Sequence, residues 1–237
     1  MIEVRRSASR FVTRDDGIVT RHSFSFGEHY DPANVGFGIL VAHNDESIRP
    51  GAGYAEHSHG HIEIVTWVVS GVLRHQDSLG TAVDLRPGMA AVTQAASGVR
   101  HSERNASATG PLRFVQTWLR PPDGAGQPEP TFAVADVRAK LGSAAFVAVA
   151  SGLPGIDAAA RLGPPATLCA ARITEGAQVD LPIAARLHVF VVTGAVTSVE
   201  AGELAGGDAL RVEAAPGGAL TALRDTELLV WSLPDSA

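Results

Sequence analysis

Short runs in which apolar side chains alternate with polar ones, or stand together as β-branched and aromatic residues, recur along the whole chain. Residues 62–73 (IEIVTWVVSGVL) form such a run and close near a glycine, while residues 112–119 (LRFVQTWL) alternate with the period of two expected of a half-buried strand. Residues 144–150, 167–173, 187–196 and 227–233 read the same way, and only residues 134–141 have helix-like spacing. One long-period echo stands out: VVSGV at 68–72 returns as VVTGA at 191–195, and LRPGMA at 85–90 returns as LAGGDA at 204–209, at nearly equal separations. The pattern predicts an all-β protein built from two copies of one antiparallel unit, each a barrel or sandwich. Between the copies, RPPDGAGQPEP at 120–130 reads as a linker, because proline bars a sheet ladder and glycine removes stiffness. The expected domains are therefore 1–121 and 122–237.

Composition supports a buried core: 45% of the 237 residues are hydrophobic and 19% charged, and 25 glycines with 14 prolines supply turns. With 19 Lys+Arg against 25 Asp+Glu, a net charge of −6 and no basic run, the chain lacks the electrostatic footprint of a nucleic-acid binder. Cys169 is the sole cysteine, so no internal disulfide can form. The opening MIEVRRSASRF has no apolar signal-peptide core, and no run approaches the roughly 18 apolar residues of a membrane span. A soluble, cytoplasmic protein without a membrane partner is the expectation.

The polar chemistry is unevenly placed, for eight of the nine histidines precede residue 102. In EHSHGHIE (56–63), an extended backbone would put His57, His59, His61 and Glu63 on one face, and two histidines one residue apart can offer ring nitrogens to a single ion. A second cluster, SGVRHSE (97–103), likewise separates His101 and Glu103 by one residue. Imidazoles with a carboxylate suit iron(II), manganese, nickel, cobalt, copper(II) or zinc better than a thiolate metal. Four protein ligands would also leave open positions on a six-coordinate ion. His22, His29, His43 and His75 read as structural, and Phe24, Phe26, Tyr54, Trp67 and Trp118 as core, some of them available to line a flat aromatic pocket.

HSHGHIEI, with Gly51 before it, resembles the first cupin motif, and GVRHSERN, with Gly98, His101 and Asn105, resembles the second. RHSFSFGEHYDP, NVGFG, RPGAGYAEHSHGHIEI, GVLRHQDSLG, LRPG and SGVRHSE together resemble the pirin family, especially its bacterial quercetin 2,3-dioxygenase members, over residues 21–119. Ser58 departs from the proline that the family commonly carries between its first two histidines, and His61 is unusual at its position.

The resemblance implies a bicupin with metal in the N-terminal barrel, bound by His57, His59, His101 and Glu103, with iron the usual ion. In the wider cupin superfamily the carboxylate ligand stands where Glu63 does here, so both glutamates are in contention, and the family precedent favours Glu103. The implied activity is opening of the central flavonol ring with O2 and loss of carbon monoxide, Glu63 or Glu103 acting as base. The alternative is a non-catalytic redox or ligand sensor that uses the same metal site and acts through a protein partner. Carrying the internal repeat across the linker places Asp180, Pro182, Arg186, Leu220 and Ala222 opposite the motif residues, so the C-terminal barrel is expected to hold no metal.

Overall fold

The structure, a computed structural model, describes residues 1–122, 129–142, 144–215 and 217–235. Its strands in the first part of the chain are β1 (Ile2–Arg5), β2 (Phe11–Asp15), β3 (Ile18–His22), β4 (Leu40–Ile48), β5 (Gly53–His59), β6 (Glu63–Ser70), β7 (Leu73–Asp77), β8 (Ala82–Leu85), β9 (Met89–Gln94), β10 (Val99–Asn105), β11 (Leu112–Leu119) and β12 (Thr131–Asp136). They continue with β13 (Val147–Ser151), β14 (Ala160–Arg161), β15 (Thr167–Ile173), β16 (Gln178–Asp180), β17 (Ala184–Ser198), β18 (Gly202–Ala205), β19 (Ala209–Ala215) and β20 (Ala219–Leu233). Among the described residues the only helical element is a 3-10 turn at Ser7–Ser9, and no helix is long and apolar enough to cross a membrane. The helix-like spacing at 134–141 is not a helix: its first residues belong to β12, whose backbone is satisfied by pairing with β9, and turns follow.

Phe11–Asp136 forms one compact unit, and Met1–Arg10 with Val137–Ala237 forms the other. The division therefore differs at both ends from a cut after residue 121. β12 lies beyond the proline-rich segment yet pairs along its whole length with β9, and β1 pairs with β19 rather than with its sequence neighbours. Residues 123–128 of the expected linker lie outside the described residues.

The Phe11–Asp136 unit is two antiparallel sheets, ordered β5-β10-β7-β8 and β12-β9-β6-β11-β4-β3-β2. Their inner faces meet, and the alternation of β10, buried at Val99, His101, Glu103 and Asn105, marks which side chains point inward. One end of the interior is apolar, closed by Ile48, Val68, Leu73, Leu85, Leu112 and Phe114. The other unit carries a nine-stranded sheet, antiparallel save for a two-residue parallel pairing of β13 with β14. Its core is continuous Val and Leu, including Val179, Val189, Val191, Leu204, Leu220 and Val230, so Leu220 and Ala222, opposite His101 and Glu103 in the repeat, are buried apolar residues.

The internal repeat has a backbone basis. Gly71 (φ 81°) and Gly194 (φ 85°) both adopt a conformation that L-residues avoid. A Cβ would lie 2.6 Å from the Pro111 carbonyl in one and 2.3 Å from the Asp225 carbonyl in the other. Each glycine stands next to a register shift, in the β6–β11 and β17–β20 pairs.

Candidate metal centre

β5 and β10 run antiparallel with His57 opposite His101 and His59 opposite Val99. Residues directly opposite one another share a face, so the three imidazoles project together into the interior. Their ring centroids lie 4.6–4.9 Å apart, and a ligand nitrogen from each lies within 4.8 Å of the others. The Nε2 atoms of His57 and His101 are 3.2 Å apart. Two bonds of about 2.1 Å to one ion would separate two nitrogens by roughly 3.0–3.4 Å, so this spacing fits a shared ion without rearrangement. The Nδ1–H of His57 donates to the Ala55 carbonyl at 2.8 Å, which leaves its Nε2 lone pair for the centre. Burial, then the neighbouring imidazoles, lowers His59 and His101 to about 4, which keeps both rings neutral, as ligation requires.

Glu103 shares the inner face of β10 with His101 and forms a second group with His101 and His75, again with ligand atoms within 4.8 Å. Its oxygens are the terminus of a directed hydrogen-bond chain. Trp118 Nε1 donates to Gln116 Oε1 at 2.9 Å, which fixes the amide so that Gln116 Nε2 donates to Glu103 Oε2 at 2.8 Å and to Thr66 Oγ1 at 3.0 Å. The Thr66 hydroxyl donates in turn to Glu103 Oε1 at 3.2 Å. Gln116 and Thr66 are partners in the β11–β6 ladder and therefore share the inward face of the second sheet. Beside Glu103, His75 Nε2 meets Asp77 Oδ2 at 3.1 Å, and the buried Nδ1 atoms of His75 and His101 have no hydrogen-bond partner among the described residues.

The expectation that His57, His59, His61 and Glu63 line one face holds only for the first two. β5 ends at His59, and His61 takes a left-handed backbone (φ 54°) and is exposed. Glu63 opens β6, in the other sheet, three residues from inward-facing Thr66 in an unbroken ladder, so it points to the opposite face of that sheet. It lines neither the histidine cluster nor the adjoining cavity.

That cavity, about 600 Å³, is bordered by His57, His59 and Glu103 and walled by His22, Phe26, His29 and Trp118. Phe26 stacks on His22 at 5.2 Å and meets the edge of Trp118 at 5.2 Å, and Trp118 in turn meets His59 at 5.1 Å. Phe26, Tyr54 and Trp118 thus line the cavity, whereas Phe24 and Trp67 are core. His22 and His29, expected to be purely structural, belong to its wall, and His75 belongs to the Glu103 group.

Glu46 also lines the cavity, although no motif in the sequence points to it. Glu46 on β4 is 3% exposed and accepts hydrogen bonds from Thr20 Oγ1 (2.6 Å) and Tyr54 OH (2.9 Å), both at Oε2. Burial outweighs these donors and, with the charges of Glu103 and Asp45, pushes its carboxyl up to about 7. The available signal was the run His43-Asn44-Asp45-Glu46, four polar residues within a strand buried over most of its length.

A β-sandwich whose inner face gathers imidazoles and a carboxylate, followed by a second β unit with an apolar interior, defines a two-domain cupin, or bicupin. The Pirin family profile matches residues 3–119. A Mycobacterium tuberculosis protein, named provisionally as a quercetin 2,3-dioxygenase, is 45% identical over 233 residues, covering 98% of this chain and 95% of its own. The chain belongs to the pirin family. Quercetin 2,3-dioxygenase of Escherichia coli is 37% identical over 121 residues, 51% of this chain and 52% of its own. The bacterial pirin YhhW from Escherichia coli, solved in complex with nickel(II), superposes with a TM-score of 0.89 at 28% identity over 99% of both chains. Together with the convergent side chains here, that complex points to a divalent metal ion as the group this site takes.

Proposed function

We propose that the protein is a metal-dependent dioxygenase that opens the central ring of a flavonol such as quercetin with O2, with His57, His59, His101 and Glu103 holding one divalent ion. Iron(II) is the ion we assign; nickel, manganese, copper, cobalt and zinc suit the same donors. The observation that carries the reading is the convergence of three imidazoles beside an aromatic-walled cavity. Its volume of about 600 Å³ lies within the roughly 300–1,000 Å³ typical of sites for drug-sized ligands. When bound, a divalent ion supplies the positive charge that stabilises a deprotonated flavonol 3-hydroxyl. The chain does the rest. Ala55 and the Gln116–Thr66 pair orient His57 and Glu103, while Phe26 and Trp118 offer flat apolar surfaces that orient a planar ring system and exclude water. The reading also puts the protein in the cytoplasm, where a sole thiol at Cys169 and no internal disulfide suit a reducing milieu.

The test is to purify the protein without chelator, quantify bound metal by mass spectrometry, and follow O2-dependent quercetin loss in the same sample. About one transition-metal ion per chain with turnover, both lost in His57→Ala and His101→Ala, is the expected result. Metal without turnover would instead favour a non-catalytic sensor acting through a protein partner, and failure to take up metal would sink the four-ligand site.

A further inference from the structure

Glu46 is a buried carboxylate that neither metal ligation nor packing explains. β4, an interior strand of the seven-stranded sheet, carries it opposite Phe114 on one side and Thr20 on the other. Burying a carboxyl there is costly unless its oxygens are satisfied. Oε2 receives both available donors, from Thr20 and from Tyr54. Oε1 receives no protein hydrogen bond among the described residues, in a residue that borders the cavity. A carboxylate held rigidly by one oxygen, with the other directed to a binding site, has the geometry of an acid–base group.

Its position relative to the histidines is set by backbone geometry. Between His101 and Glu103 the β5–β10 register slips by one residue, so that β10 residues two apart face β5 residues three apart, His57 and Tyr54. The bulge puts Tyr54 on the same inward face as His57, from where its hydroxyl reaches across to Glu46 on the opposing sheet. Glu46 is thereby tied to the strand that carries His57 and His59. The ionisable neighbours around it are Asp45, Tyr54 and Glu103, with Glu103 committed to Gln116 and Thr66. Glu63, the other candidate base, faces away. The raised affinity of Glu46 for a proton agrees with the role but is not needed for it.

We infer that Glu46 is the acid–base residue of the cavity, its Oε1 taking the proton of an enolic or phenolic hydroxyl on a planar substrate bound against the histidine cluster. The substrate O–H bond breaks, its electron pair stays on oxygen as the enolate, and the proton resides on Glu46. The carboxyl returns that proton to the anionic product as it leaves, which regenerates the carboxylate without another reagent. The inference rests on the flavonol reading above, and its test separates the two.

Metal-loaded full-length protein is mixed anaerobically with quercetin at pH 7, and the absorption of the bound flavonol is recorded, the deprotonated form absorbing to the red of the neutral one. Wild type is expected to hold the anion, and Glu46→Gln, at equal metal content, to lower the ratio of anion to neutral ligand about 10-fold and kcat in O2 about 100-fold, with KM within about threefold. Glu46→Asp, which restores a shorter carboxylate, should recover part of both. A purely structural role would not move the anion ratio. Equal anion content and turnover within about threefold of wild type in metal-replete Glu46→Gln would overturn the inference, since the metal alone would then suffice. Should that variant fail to fold, infrared difference spectra of wild type decide: binding of neutral flavonol that becomes the anion in the site must increase a protonated-carboxyl C=O band, and its absence overturns the inference. Wild type that binds flavonol only in its neutral form overturns the role of Glu46 and spares the site, whereas wild type that binds none overturns both readings.

Discussion

Two buried side chains set the character of the cavity, and both are polar. Gln116 has its amide orientation dictated by Trp118, so it can only donate to Glu103. Gln116→Leu leaves Glu103 without its shorter hydrogen bond while keeping the volume, and metal affinity measured by chelator competition should fall about 10- to 100-fold, the usual cost of losing a partner that orients a ligand. Glu46 has a consequence for stability opposite to its value for chemistry. With its carboxyl raised from 4.5 to about 7, the folded protein keeps a proton there that the unfolded chain has released, so stability falls as pH rises through that window and the loss is complete above it. In the metal-free protein, Glu46→Gln removes this penalty. The difference in unfolding free energy between variant and wild type should shift by about 2–3 kcal/mol in favour of the variant from pH 4 to pH 8, measured by urea denaturation. A flat difference across that range would mean that Glu46 takes up its proton at the same pH in the folded and unfolded chains. Such a gain on removal is what a residue retained for function, at a cost to the fold, is expected to give.

At the scale of elements, the β5–β10 pair does the positioning. Gly53 stands opposite Arg104 at φ 148°, where a Cβ would fall 2.4 Å from the Glu103 carbonyl oxygen and 2.6 Å from Arg104 Cα, both backbone atoms that cannot yield. Glycine is what lets β5 close on β10 beside the bulge. Gly53→Ala should therefore push the strands apart at the point where Tyr54 and Glu103 face one another, destabilising the protein by about 1–3 kcal/mol in urea denaturation and weakening metal binding in the same preparation. Unchanged stability would show that the strand end relaxes freely. The β6 ladder makes the complementary point: with Thr66 facing in, Glu63 must face out, because the side-chain period of a strand is two.

On the scale of the molecule, the chain's first ten residues belong with its last hundred. β1 pairs with β19 over four residues, and Asp208 accepts from the Ser7 amide and from Arg6. Deleting Met1–Arg10 should raise hydrogen exchange in β19 and lower the midpoint of thermal unfolding, while metal content per chain stays as in the full protein; loss of metal would contradict the division into two units. The sequence by itself determined the β class, the duplicated unit and the histidine pair, because alternation, turn glycines and i, i+2 spacing are local properties that survive in a string of letters. β11 and β15 lie on the predicted runs residue for residue. Only the tertiary structure turned Glu63 away from the histidines and set Glu103 beside them, placed β12 with the first unit and β1 with the second, and brought Glu46, Tyr54, Gln116 and His75 to the cluster and its cavity. Each of those outcomes depends on which strands pair, and the approach of Tyr54 to Glu46 depends also on a one-residue bulge between strands some 50 positions apart in sequence; pairing register is a global solution that no local pattern encodes.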